Sequence, residues 1–151
     1  MPLMPRPAER TAVLRRATYR LYPTKRQGVR LVEVLRLHQQ LYNMALEQRR
    51  DAWRTQRKTI GFGYQCHDLT ELRAAEPVYA ALNAQSSQQT LKRLDKAFVA
   101  FFRRVKAGQT PGFPRFKAFD RYPGWGYTNQ GGWKLEGRLK LAEVGWIKMR
   151  G

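Results

Sequence analysis

The chain has 151 residues, enough for one domain or one small domain with an insertion. Hydrophobic residues at 42% and aromatics at 12% exclude disorder by composition. Against 11 Asp and Glu stand 29 Lys and Arg, a formal net charge of +18, far beyond the roughly 2 to 8 that solubility asks of a small domain.

Residues 1–11 are rich in proline and read as a flexible arm. From Val13 to Tyr22, Val13, Ala17, Tyr19 and Leu21 stand against Arg16, Thr18 and Arg20, which predicts a half-buried strand stopped by Pro23. Thr24 and Gln27 have the spacing of a capping box. Behind them Leu31, Val34, Leu35, Leu41, Tyr42, Ala45, Leu46 and Trp53 recur at helical intervals, predicting a helix from about Lys25 to Arg57 that Gly61 and Gly63 end. A shorter helical segment follows around Asp68 to Ala75, closed by Pro77. Ser86 and Gln89 repeat the capping-box spacing and open a third helix that ends near Gly108. Its apolar stripe is Leu91, Leu94, Phe98, Phe101, Phe102 and Val105, with Lys92, Lys96, Arg103, Arg104 and Lys106 on the other side. Gln109 to Lys117 is a loop. Turn residues then separate Tyr127-Thr128, Trp133 to Leu135, Leu139 to Leu141 and Val144 to Met149, with Asn129 to Gly132 and Glu136-Gly137 as the turns. An early strand pairing with late ones makes an α+β fold, a small β-barrel with helices inserted.

The positive surplus repels itself in a compact state and calls for a polyanion. Arg supplies 20 of the charges and Lys 9, and a planar guanidinium grips phosphate oxygens in pairs. No apolar run approaches the roughly 20 residues of a membrane span, and Met1 to Arg10 lacks the apolar core of a signal peptide. A lone cysteine, Cys66, cannot form an internal disulfide and fits a reducing cytoplasm. Metal chemistry finds no support: Cys66 and His67 are adjacent, read as a buried thiol beside a surface histidine, and His38 is distant. The acids are scattered, and the pairs Asp68/Glu71 and Glu47/Asp51 read as partners of nearby arginines rather than holders of divalent cations. No catalytic residue, metal or cofactor is expected.

Two basic clusters carry the positive signal. Arg49, Arg50, Arg54, Arg57 and Lys58 crowd the end of the first helix with only Asp51 beside them, and the third helix adds Lys92, Lys96, Arg103 and Arg104. Favourable charges at a helix C-terminus explain two or three such cations, not five. Arg115, Lys117 and Arg121 lie in the loop region among Phe113, Phe116, Tyr122, Trp125, Tyr127 and Trp133. Exposed aromatics there would stack bases, though for any one of them a core position is the better reading.

Four ordered blocks resemble OrfB/TnpB proteins, transposon-encoded relatives of the compact type V CRISPR effectors. They are Tyr19 to Thr24 with Leu41 to Glu47; Ser87 to Phe102 with its Leu91-x-x-Leu94-Asp95-x-Ala97-Phe98-x-x-Phe101-Phe102 run; Gly112 to Lys117; and Gly145 to Lys148. The resemblance implies a wedge (OB-like) barrel built from 12–23 and 109–151, interrupted by a helical recognition block at 24–108 that carries a transposase helix-turn-helix region. A first helix over 25–57 is long for that motif. The resemblance also implies binding of guide RNA and target DNA. Family members continue into a RuvC-like nuclease with a zinc-binding insertion, and no position here matches its catalytic residues. The chain therefore reads as an N-terminal portion with an incomplete barrel, binding RNA or DNA without cutting, with a separately encoded nuclease half as a further partner. A stand-alone DNA-binding regulator of a transposon and a truncated product without function are the alternatives.

Overall fold

The structure is a computed structural model and describes residues 14–128 and 131–150. The arm at 1–11, the start of the strand at Val13 and the turn residues Asn129 and Gln130 lie outside the described residues. The described residues form an α+β fold, four helices and an open four-stranded antiparallel sheet.

Strand β1 (Arg20–Tyr22) is far shorter than its alternation predicts. Its register sets Arg20 against Arg150, so residues before Arg20 have no strand to pair with among those described, and Leu14 is 97% exposed. Helix α1 (Lys25–Gln56) follows the prediction closely because the Thr24/Gln27 capping box forms in both directions, at 3.2 and 3.0 Å. It stops at Arg57, left-handed at φ 52°, whose N–H turns back to the Trp53 carbonyl at 3.0 Å. Gly61 and Gly63 are therefore not its terminators. Gly61 is the extended N-cap of α2 (Phe62–Ala75) and Gly63 lies in the first turn of that helix, which starts earlier than predicted. Pro77 opens the short α3 (Pro77–Ala80), where its missing N–H costs nothing.

Helix α4 (Ala84–Lys106) begins before Ser86. Asn83 is the cap, its side chain accepting from the Ser86 N–H at 2.9 Å. Ser86 and Ser87 are buried inside the first turn and donate their hydroxyls back to the Asn83 carbonyl. At the other end Gly108, at φ 81°, and Gln109 return N–H bonds to Val105 and Arg104, the closure expected of a C′ glycine.

One core joins the helices: Val34, Leu41, Tyr42, Ala45 and Leu46 of α1 meet Leu69, Tyr79, Leu82, Leu91, Leu94, Phe98 and Tyr122. The apolar stripe of α4 is buried only in its first half, for Phe102 and Val105 are half exposed. A polar seam runs through this core. Arg49 donates to Gln65 Oε1 at 2.8 Å and pairs with Asp95 at 3.1 Å, while Gln65 donates to the Ala45 carbonyl at 2.9 Å.

His38 is fully buried, 2.7 Å from Thr90 Oγ1 and stacked on Trp125. Burial, and next the Arg93 guanidinium, lower its pKa to about 4. The unfolded chain thus takes up this proton first as pH falls. The stability given by the neutral ring is intact near neutrality and drains between about 6.5 and 4. Going from pH 7 to pH 5 should remove about 2 kcal/mol, read as a falling unfolding midpoint, and His38→Gln should flatten that dependence.

The sheet runs β1-β4-β3-β2, with β2 (Trp133–Leu135), β3 (Arg138–Leu141) and β4 (Gly145–Arg150) as a meander turning at Gly137, φ 68°. Its inner face, Leu21, Leu139, Leu141 and Ile147, looks toward Leu31 and the Trp125–Tyr127 loop. Tyr127 and Thr128 are not a strand. The Tyr127 hydroxyl donates to Glu143, its ring lies where a side chain on Gly132 would be, and Thr128 bonds Gln85. After α4 the strands therefore begin at Trp133, while Phe113, Lys117, Tyr122 and Trp125 of the preceding loop pack on the helices. Glu143 also accepts from the Asn83 N–H at 2.8 Å, and Gln27 donates to the Trp146 carbonyl at 2.7 Å, tying sheet to helices.

Candidate nucleic-acid interface

The C-terminal ends of α1 and α4 border one groove, because Trp53 and Lys58 face Phe98, Phe101, Phe102 and Val105 across it. Two helix dipoles thus point their negative ends the same way, which favours cations there. Arg50, Arg54, Arg57, Lys58, Arg103 and Arg104 are all exposed at these ends. Asp51 neutralises only Arg54, at 2.7 Å. The loop after α4 is drawn across α1 by Asn43, whose amide exchanges two 2.9 Å bonds with the Lys117 backbone, and by Gln39 at 2.8 Å. This crossing brings Phe113 and Phe116 under the Arg50 guanidinium, 5.7 and 5.2 Å from their centres.

A second cationic surface lies on the outer face of the sheet. Arg20 stands opposite Arg150, Arg138 opposite Lys148, and Lys134 opposite Lys140. Tyr22 and Trp146 share that face, and among the described residues no acid occupies an outward strand position. Like charges directly opposite destabilise a strand pair, so the arrangement works against the fold in isolation. An anionic polymer lying on the face would relieve it. Sequence reading missed these residues. The signal was present in Arg-Leu-Lys-Leu and Trp-Ile-Lys-Met-Arg, where every outward position after the alternation is fixed is a cation or an aromatic.

Residues 11–58 match HTH_OrfB_IS605, a helix-turn-helix domain. Over 109 residues, 70% of this chain, the sequence is 33% identical to a Streptomyces pristinaespiralis protein named "Putative RNA-guided DNA endonuclease". The N-terminal part is of the OrfB/TnpB family. The chain spans about a quarter of that relative's length, 26%. The OrfB/TnpB match supports a nucleic-acid partner for a transposase-like protein. Its span holds β1 and the long helix α1, while α4, the helix packed most extensively on α1, and α2, which follows it in sequence, lie outside it.

Against this OrfB/TnpB frame the basic residues sort by what they touch. Arg49 is buried, held by Gln65 and Asp95 and 4.8 Å over the Phe98 ring, and from there it lines the α1/α4 groove. Lys92 is half engaged, 3.9 Å from Asp95 and over the Phe62 ring. Lys96 is exposed and lines a cleft with Lys92, Arg93 and Trp125. Arg115 and Arg121 are exposed, and Lys117 reaches back over Tyr42. Of the acids expected to partner arginines, Asp51 does hold Arg54, whereas Asp68 accepts from Gln48. Burial pushes the partly buried Cys66 thiol up, and His67 is exposed. Among the described residues no group of three or more His, Cys, Asp or Glu is placed to hold a metal ion, and no helix is long and apolar enough to cross a membrane.

Proposed function

We propose that the chain binds guide RNA, target DNA or both by their phosphate backbones, as the N-terminal portion of a TnpB-like protein. The observation that carries this is the pair of exposed cationic surfaces, the α1/α4 end and the outer sheet face, where among the described residues only Asp51 pairs with a cation. Cutting is assigned in this reading to a separately encoded nuclease half, because no position here matches the catalytic residues of the OrfB/TnpB nuclease. The open sheet is read as part of a wedge barrel on the family resemblance. The free thiol of Cys66 fits work in the cytoplasm. A second reading, a regulator that binds duplex DNA, is favoured by the helix-turn-helix match over 11–58.

Affinity for structured RNA and for duplex DNA, measured across salt concentrations, separates the two. Preference for RNA supports the guide-binding reading, and sequence-selective duplex binding supports the regulator. Replacing Lys92, Lys96 and Arg103 with Ala should weaken binding and flatten the salt dependence, by roughly 0.9 in slope per lost phosphate contact on duplex DNA. Unchanged affinity would make that helix face merely solvated. A product without function would show no cooperative melting and no stabilisation by nucleic acid.

A further inference from the structure

We propose that the groove between the ends of α1 and α4 receives an unpaired nucleobase. This rests on the nucleic-acid reading and narrows it to single-stranded or splayed-out nucleotides. The groove encloses about 380 Å³. Its apolar walls are Trp53, Phe98, Phe101, Phe102 and Phe113. Phe113 meets Phe98 and Phe101 edge-on, 5.3 Å from each ring centre, which fixes the floor. Trp53 and Phe102, by contrast, are 49% and 48% exposed. A cluster serving only the core would bury these rings. Half-open aromatic faces are surfaces on which a base stacks.

Charge decides the occupant. Arg57 lies 5.4 Å over the Trp53 ring, and Lys58 lines the groove. Trp53 and Phe113 also wall a neighbouring crevice of about 230 Å³ with Arg50 and Arg54. The ligand that matches is flat and apolar at its centre and anionic along its edge. A nucleotide taken out of a stack has that form. A regular duplex does not, because its bases are covered and it presents phosphate. An apolar peptide would fit the walls and leave the cations around them unmatched.

The test compares the 151-residue chain binding a short labelled single strand and the same strand with abasic sites at its centre. Both carry the same phosphates. The base-bearing strand should bind about tenfold more tightly. In a Trp53→Ala/Phe102→Ala variant that preference should vanish while affinity for the abasic strand is kept. The comparison on the unaltered chain stands whether or not the variant folds. Equal affinity for both strands overturns the proposal and leaves the phosphate reading in place. A preference that survives the double substitution overturns the location. Binding to neither strand overturns the nucleic-acid reading itself.

Discussion

Replacing Lys134, Arg138, Lys140 and Lys148 together with alanine is expected to raise the melting temperature while loosening the grip on nucleic acid. The two effects share one cause. Lys134 opposes Lys140 and Arg138 opposes Lys148, so each substitution removes repulsion across a strand pair, a few tenths to about 1 kcal/mol for each pair. The same groups lie on one exposed face with Trp146 and Tyr22. If they contact phosphates, the salt slope on duplex DNA should fall by about 3 to 4 and low-salt affinity by on the order of a hundredfold. Thermal melting and a salt titration of the same variant check both halves. A rise in melting temperature with unchanged affinity would reduce the face to solvated charge.

Asp95→Ala is expected to destabilise the fold by about 3 kcal/mol, measured by denaturant unfolding. Removing the carboxylate strands the Arg49 guanidinium in the core, where only Gln65 and the Phe98 ring remain beside it. The figure sits at the low end for a broken buried pair because the Asp95 side chain keeps 19% of its exposure. Replacing Arg49 as well, by Met, should recover much of the loss, since an apolar pair of similar volume avoids the uncompensated charge. Were Arg49 free to hold a phosphate, Asp95→Ala would leave stability alone and Arg49→Ala would lower affinity.

Local signals were read well where local bonds decide. The Thr24/Gln27 pair closes its own turn, so the start of α1 is legible. Gly108 is legible for the same reason. Ser86 failed because Asn83, three residues earlier, provides a side-chain acceptor and leaves Ser86 to be buried. Gly61 and Gly63 failed because Arg57 had already taken the left-handed conformation that ends α1. At the site, the run from Arg49 to Lys58 looked uniform, yet Arg49 alone finds Gln65 and Asp95, partners from two other helices. Periodicity along one helix cannot show that. The sheet face was hidden differently: its cations are single residues between apolar ones, and only cross-strand register gathers them. The α+β layout, an early strand pairing with late ones around a helical insertion, was legible throughout.

That pairing of Arg20–Tyr22 with Lys148–Arg150 also sets a timetable. On a ribosome the first strand emerges early, but the segment it binds follows only after all four helices. Between those moments α1 through α4 can form around their own core, and β2, β3 and β4 can zip as neighbours. Among the described strand pairings, joining β1 to β4 closes the longest loop and is the slowest contact to find. Until it forms, the edge of β4 stays open to strands of other chains, so newly made protein should aggregate most readily before this last closure.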